Sequence, residues 1–229
     1  MMGPEWSGRT PLSTRALVSA VIDSSKDPSV RRLLLVSSFN FAALFTYISA
    51  APAFIVDHLH LGPGDFGWLF VPVVTMMIVG SWLTGRLAGR ISGPRFLTLG
   101  FGVAVLGGVV QLAMDVVGLR TLPWVLVGPV TTGLGIALVF PIVTLVLLEV
   151  RPRHRGTLSS MQSFSNTMLN AIVAGALVPL VSASLAGLTG AAVTFSIAGW
   201  LVWARHHRMA HPDVSAPPDP ESYEPTDRM

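Results

Sequence analysis

Long apolar segments separated by short polar links occupy residues 33–204 of this 229-residue chain. Each of the six segments has close to the ~20 residues that a helix needs to cross a bilayer. Because hydrocarbon supplies no hydrogen-bond partners, each segment must satisfy its own backbone groups, which favours spanning helices. We therefore predict an all-α, polytopic membrane protein with a six-helix transmembrane domain. The predicted spans are residues 33–56, 66–84, 96–114, 122–148, 157–181 and 184–204.

The two ends of the chain are polar. Residues 1–32 are mixed in character and contain no secretory signal, so we interpret them as a cytoplasmic leader. Residues 205–229 carry five prolines among acidic residues and serines, a composition typical of disorder. The predicted organisation is a leader, a membrane domain over 33–204 and a disordered cytoplasmic tail.

Basic residues are concentrated on one side of the predicted spans. Fourteen of the fifteen Lys and Arg residues fall on that side, and Arg120 is the exception. Cytoplasmic loops carry the excess of Lys and Arg, so both termini are predicted to be cytoplasmic, in the cell inner (plasma) membrane. The pI near 10.2 also follows from these arginines at helix ends, so the lipid bilayer, and not nucleic acid, is the predicted partner.

Few residues in the apolar segments are able to carry chemistry. The chain has no Cys, and the carboxylates Asp57, Asp65, Asp115 and Glu149 all fall at the edges of spans. A mid-membrane charge usually marks an ion or proton pathway, so this chain alone lacks an obvious proton-coupling site. No nucleophile–base pair or metal-ligand spacing is evident, so neither an enzyme, a metal site nor a cofactor is predicted. We interpret His206, His207 and His211 as a solvated cluster.

Span five carries the strongest polar signal. Gln162, Asn166 and Asn170 recur every four residues and therefore lie on one helical face. Amides in lipid lose their hydration, so this face should contact protein or water. One interpretation is a cavity or an inter-domain face, and the other is hydrogen bonding between helices of the same bundle.

Span one combines an amide with aromatic residues. Asn40 lies near Phe39, Phe45, Tyr47 and Pro52, an arrangement that suits either an amphipathic ligand or ordinary aromatic packing. Spans three and four carry small residues that permit close helix approach. These are Gly100, Gly107, Gly108, Gly128, Gly133 and Gly135.

Several segments, in order along the chain, resemble the C-terminal half of a major facilitator superfamily transporter of the Bcr/CflA multidrug-resistance type. Residues 45–52 (FTYISAAP) are similar to the seventh helix of that family, and 65–67 (DFG) to its outer loop. Residues 85–95 (GRLAGRISGPR) resemble the arginine-rich loop between helices eight and nine. Residues 135–141 (GIALVFP) and 153–157 (RHRGT) resemble helix ten and the loop after it, and 11–17 (PLSTRAL) the central linker.

The resemblance implies proton-coupled efflux of small amphipathic drugs, with the proton gradient as the energy source. It implies an inter-half face at Gln162, Asn166 and Asn170. The arginine-rich loop motif comprises Gly85, Arg86, Arg90, Gly93 and Arg95. The implied substrate cavity is lined by Asn40, Phe45, Tyr47, Phe140 and Pro141.

The resemblance covers six helices of a family that has twelve. We therefore expect a missing N-terminal half or a second copy as partner, and the chain is expected to be a fragment, a half-transporter or a decayed gene. The alternatives in function are transport of a metabolite such as an amino acid or a sugar, and a non-transporting membrane subunit or truncated remnant.

Overall fold

The computed structural model describes residues 14–62, 64–87, 90–119 and 121–210, and these residues form helices and connecting loops without a β-strand. Six helices in these ranges are long and apolar enough to cross a membrane, which confirms the predicted fold class. The α-helices are α1 (Thr14–Ser25), α2 (Pro28–Ser49), α3 (Gly67–Leu87), α4 (Gly93–Val117), α5 (Val127–Val150), α6 (Arg155–Ile172), α7 (Val178–Val181) and α8 (Leu185–Ala210).

The helices begin and end several residues from the predicted boundaries. The first span starts at Pro28 because the Asp27 side chain accepts a hydrogen bond from the Ser29 amide and caps the helix. The last helix continues to Ala210, so residues 205–210, predicted to be disordered tail, are helical. Within the predicted leader, residues 14–25 form α1. Residues 1–13 and 211–229 lie outside the described residues.

Two spans contain irregular turns near one end of the bundle. A π-helical segment, Ala53–His58, follows α2, and another, Val173–Leu177, joins α6 to α7. Pro52 precedes the first of these segments and Pro179 follows the second. Such turns remain possible in a membrane where neighbouring helices satisfy the freed backbone groups.

The helices differ in how far the bundle buries them. In the most apolar stretch of α2, 56% of residues are buried, against 17% for the span of α3 and 17% for the span of α6 and α7. Helix α2 packs against α8, α5 and α6, while α3 packs chiefly against α5. Helices α3 and α6 are therefore the peripheral members of the bundle.

Small residues allow α4 and α5 to pack closely, as the sequence predicts. A Cβ added at Gly100 would lie 2.6 Å from Val139 Cγ2 and 3.0 Å from the Gly135 carbonyl oxygen. At Gly135, an added Cβ would lie 2.7 Å from the Gly100 carbonyl oxygen. The two backbones contact each other directly, which no larger side chain at either position permits.

Candidate transport site

An aromatic patch lies between α2 and α5, the two helices that the resemblance places at the substrate cavity. The rings of Phe41 and Phe140 are 6.2 Å apart and tilted by 56°. Phe45 lies one turn along α2 from Phe41, and all three rings are half-buried. We refer to Phe41, Phe45 and Phe140 as the aromatic patch. It offers apolar surface that an apolar ligand is able to contact.

The structure separates the five residues predicted for the cavity. Phe45, Phe140 and Pro141 are half-buried, but Asn40 and Tyr47 are buried inside the six-helix bundle. Successive residues of a helix are about 100° apart, so Asn40 points to a different side of α2 from its neighbour Phe41. Asn40 and Tyr47 therefore do not line an open surface of the described bundle, and their place at the substrate cavity stays a prediction. Within the described part of the chain, the Asn40 amide nitrogen has no hydrogen-bond partner.

Tyr47 belongs to a buried polar cluster that the sequence did not predict. Its hydroxyl lies beside the Thr189 side chain and near the Asp115 carboxylate. A Cβ added at Gly128 would lie 2.7 Å from that hydroxyl, so the glycine makes room for it. We refer to Tyr47, Gln111, Asp115 and Thr189 as the outer polar cluster, because it lies at the end of α4 opposite the arginine-rich loop.

Gln111 connects this cluster to the start of α5. Its amide nitrogen donates to Asp115 Oδ1 at 3.2 Å, and its amide oxygen accepts from the Gly128 backbone amide at 3.2 Å. This second hydrogen bond joins α4 to the first turn of α5. Asp115 lies two residues before the end of α4, as predicted, yet only 3% of its surface is exposed. The signal in the sequence is the spacing of four residues between Gln111 and Asp115, which places both on one face.

The three amides of span five lie inside the bundle and not on an open face. Gln162 donates to the Ser37 hydroxyl and to the Thr144 hydroxyl, each at 2.9 Å. The Asn166 amide oxygen accepts from Ser37 at 3.3 Å and from Ser38 at 3.0 Å. Asn170 is buried in the same stripe. We refer to these residues, Ser37, Ser38, Thr144, Gln162, Asn166 and Asn170, as the amide network.

The interpretation as hydrogen bonding between helices accounts for Gln162 and Asn166, and the inter-half face at the three amides stays a prediction. In a bilayer, a polar side chain gains more from a partner in the same bundle than from an apolar environment. The exposed face of α6 is the opposite one, with Ser163, Phe164, Thr167 and Met168. The exposed face of α3 carries Val71, Val74, Ile78 and Trp82.

The residues of the arginine-rich loop do not converge on one point. Gly85 and Arg86 lie in the last turn of α3, and the Arg86 guanidinium lies 4.6 Å from the centre of the Trp82 ring. Arg90 is exposed in the turn, Gly93 begins α4 and Arg95 is exposed in its first turn. A cation over an aromatic ring near a helix end suits the membrane interface. Among the described residues, no group of three metal-ligating side chains is present.

The sequence profile of the Major Facilitator Superfamily matches residues 33–220, which is most of the chain. The chain belongs to the major facilitator superfamily. Major facilitator proteins are membrane transporters that use ion gradients, so this one is a multi-pass membrane protein, is not an enzyme and needs no cofactor.

Curated relatives in this superfamily include multidrug transporters. The multidrug transporter MdfA of Yersinia pestis bv. Antiqua (strain Angola) is 22% identical over 135 residues, which cover 59% of this chain and 33% of that protein. The multidrug transporter MdfA of Edwardsiella ictaluri (strain 93-146) is 29% identical over 104 residues, 45% of this chain and 25% of that protein. The chain thus matches a third or less of the length of these relatives.

Proposed function

We propose that the chain is the C-terminal six-helix half of a Bcr/CflA-type exporter, which expels small amphipathic drugs in exchange for protons. The observation that carries this proposal is the aromatic patch between α2 and α5. The three rings are half-buried, and Pro141, which follows Phe140 in the chain, is half-buried as well. Apolar walls with few polar groups suit flat, lipophilic molecules. The multidrug transporters among the relatives support the same substrate class.

The proposal includes a second six-helix half that covers the outer faces of α3 and α6. On α6, Phe164 is 68% exposed, and Ser163 and Thr167 are exposed on the same face. Hydroxyl groups that face lipid have lost their hydration, so a protein surface or a water-filled cavity is a better environment for them. A missing N-terminal half supplies such a surface, and so does a second copy of the chain.

The outer polar cluster supports proton coupling within this half. A buried carboxylate in a transporter is costly and usually takes part in ion or proton movement. Asp115 accepts a hydrogen bond from Gln111 at 3.2 Å and lies near Tyr47, so polar side chains from α4 and α2 surround the carboxylate. The proposed orientation places both termini in the cytoplasm of an inner (plasma) membrane protein, because of the asymmetric distribution of arginine.

Cysteine crosslinking tests the second half. The chain has no native Cys, so single-cysteine variants need no prior substitutions. Phe164→Cys on α6 is expected to form a disulfide with a cysteine on a co-expressed N-terminal half of the Yersinia relative, or with a second copy. Leu106→Cys on α4 is the control, since it is 66% exposed and so matches Phe164 in exposure. Equal crosslinking at both positions would contradict a specific contact between the second half and the outer face of α6.

Ethidium accumulation in whole cells tests the substrate class. Cells that express the chain together with that second half are expected to accumulate less ethidium than cells expressing either part alone. Phe41→Ala should abolish the difference, whereas Phe39→Ala should retain it, because Phe39 stacks on Phe195 of α8 at 6.1 Å, away from the patch. Equal loss of export in both variants would argue against the patch. Absence of export with any drug would favour a metabolite transporter or a non-transporting subunit.

A further inference from the structure

Two neighbouring cavities follow α4 along its contact with α8. The first has a volume of about 400 Å³ and is lined by Pro94, Arg95, Thr98, Leu99 and His207. The second has a volume of about 390 Å³ and is lined by Thr98, Phe101, Gly102, Val105, Ile197 and Trp200. Thr98 lines both, so they are consecutive sections of one groove, which we call the α4–α8 groove.

One end of the groove is basic. Arg95 carries a full positive charge in the first turn of α4, where the helix dipole also favours a negative ligand. His207 faces the same cavity and its ring stacks on Trp203 with centroids 5.9 Å apart, which fixes the imidazole in place. None of the five residues that line this section is acidic. The chemistry is that of a site for phosphate.

The other section of the groove is apolar and open to the outer surface of the bundle. Phe101, Gly102 and Val105 lie on successive turns of one face of α4, and Ile197 and Trp200 face them from α8. A Cβ added at Gly102 would meet nothing within 4 Å, so this glycine leaves a channel in the surface. Trp200 is 40% exposed, so its ring offers apolar surface to a ligand in this section.

The length of the groove matches one leaflet of a bilayer. From Arg95 to Val105 the helix rises by about 15 Å, at 1.5 Å per residue. The hydrocarbon core of a bilayer is about 30 Å thick, so one leaflet measures about half of that. The basic end lies on the side of the arginine-rich loop, which the positive-inside rule places in the cytoplasm.

We propose that the α4–α8 groove binds an anionic glycerophospholipid of the cytoplasmic leaflet. Arg95 and His207 hold the phosphate, and an acyl chain lies along Phe101, Gly102 and Trp200. Basic pockets between transmembrane helices on the cytoplasmic side are suited to such headgroups. A free phosphate would use only the basic section, whereas a lipid accounts for the apolar section that continues from it. This site is separate from the aromatic patch and does not depend on the transport proposed above.

Native mass spectrometry of the purified full chain tests the headgroup. The chain is titrated in detergent with palmitoyl-oleoyl phosphatidylglycerol or with the phosphatidylcholine that has the same acyl chains. Both lipids carry the phosphate, but choline cancels its charge in phosphatidylcholine; at ~1 kcal/mol for one basic residue near net negative charge, phosphatidylglycerol should bind about fivefold more tightly. Arg95→Gln should remove this preference. Arg90→Gln is the matched control, because Arg90 is exposed and does not line the groove, and it should keep the preference.

A second pair of variants tests the apolar section without touching a charge. Gly102→Leu should weaken binding of both lipids by filling the channel, while Gly190→Leu, also at a helical glycine with open space around it, should not. A phosphatidylglycerol preference that survives Arg95→Gln would overturn the proposal. Displacement of the lipid by millimolar inorganic phosphate would instead indicate a soluble-anion site. If the chain forms a dimer and Gly102→Leu dissociates it, the occupant of the groove is a second copy of the chain and not a lipid.

Discussion

The amide nitrogen of Gln162 on α6 donates a 2.9 Å hydrogen bond to the hydroxyl of Ser37 on α2. The same amide nitrogen donates to Thr144 on α5, so one side chain joins three helices. In a membrane the hydrophobic effect does not hold helices together, and packing and such hydrogen bonds do. The amide network is therefore a candidate determinant of how the peripheral α6 stays attached to the bundle.

Replacement of Gln162 by a residue of similar size should destabilise the bundle moderately. Gln162→Met removes both hydrogen bonds at nearly constant volume, and hydrogen bonds between membrane helices are worth about 0.6–2 kcal/mol. We expect a lower midpoint of thermal unfolding in detergent, with no change in association of the chain with a partner. Ser163→Met, on the exposed face of the same helix, should leave the midpoint unchanged. Loss of association without loss of stability would contradict the buried position of the network.

A methyl group at Gly100 should destabilise the contact between α4 and α5. The added Cβ would lie 2.6 Å from Val139 Cγ2 and 3.0 Å from the Gly135 carbonyl oxygen, and overpacking of this kind costs about 1–3 kcal/mol. Gly102→Ala, two residues along the same helix, meets nothing within 4 Å and should be neutral or stabilising, because Ala favours the helix. Thermal unfolding of the two variants measures the difference. Equal midpoints would argue against a direct backbone contact.

Single cysteines at His60 and Ser92 should be labelled from opposite sides of the membrane. Both residues are exposed, His60 between α2 and α3 and Ser92 between α3 and α4, and Ser92 makes no side-chain cap to α4. In whole cells an impermeant maleimide should label His60→Cys, and Ser92→Cys only after permeabilisation. The physical reason is the excess of arginine in the loop that contains Ser92. Labelling of both in intact cells would overturn the proposed orientation.

Asp115→Asn should uncouple export from the proton gradient when the chain works with a second half. The amide keeps the shape and a hydrogen bond to Gln111 but cannot exchange a proton. Tyr47 is the titratable side chain that faces Asp115 from α2, and Gly128 of α5 and Thr189 of α8 are uncharged. Arg120 lies outside the described residues. Asp57→Asn, at an exposed position near the same end of the bundle, is the control and should keep full dependence on the gradient. If an uncoupler abolishes export equally in both variants, Asp115 does not couple export to the proton gradient.

The sequence by itself determined the number of spans and the regular spacing of the polar stripe. Backbone groups cannot remain unpaired in hydrocarbon, so each apolar run of sufficient length had to be a helix, and the described residues contain six such helices. The spacing of Gln162, Asn166 and Asn170 required one shared face. Glycines at positions 100 and 135 indicated close packing, and the structure brings these two backbones together.

Only the tertiary structure decided which face of each helix points inward. Lipid tails are as apolar as a protein core, so Val71 on the outer face of α3 and Val73 on its inner face look alike in the sequence. For the same reason, the sequence leaves open whether the amides on α6 face a second half or the bundle, and only the fold shows that α2 and α5 supply the partners of Gln162 and Asn166. The burial of Asp115 also depended on contacts from α2, α5 and α8, whose side chains meet only after the helices pack. Sequence periodicity defines a face, but the partners of that face come from the fold.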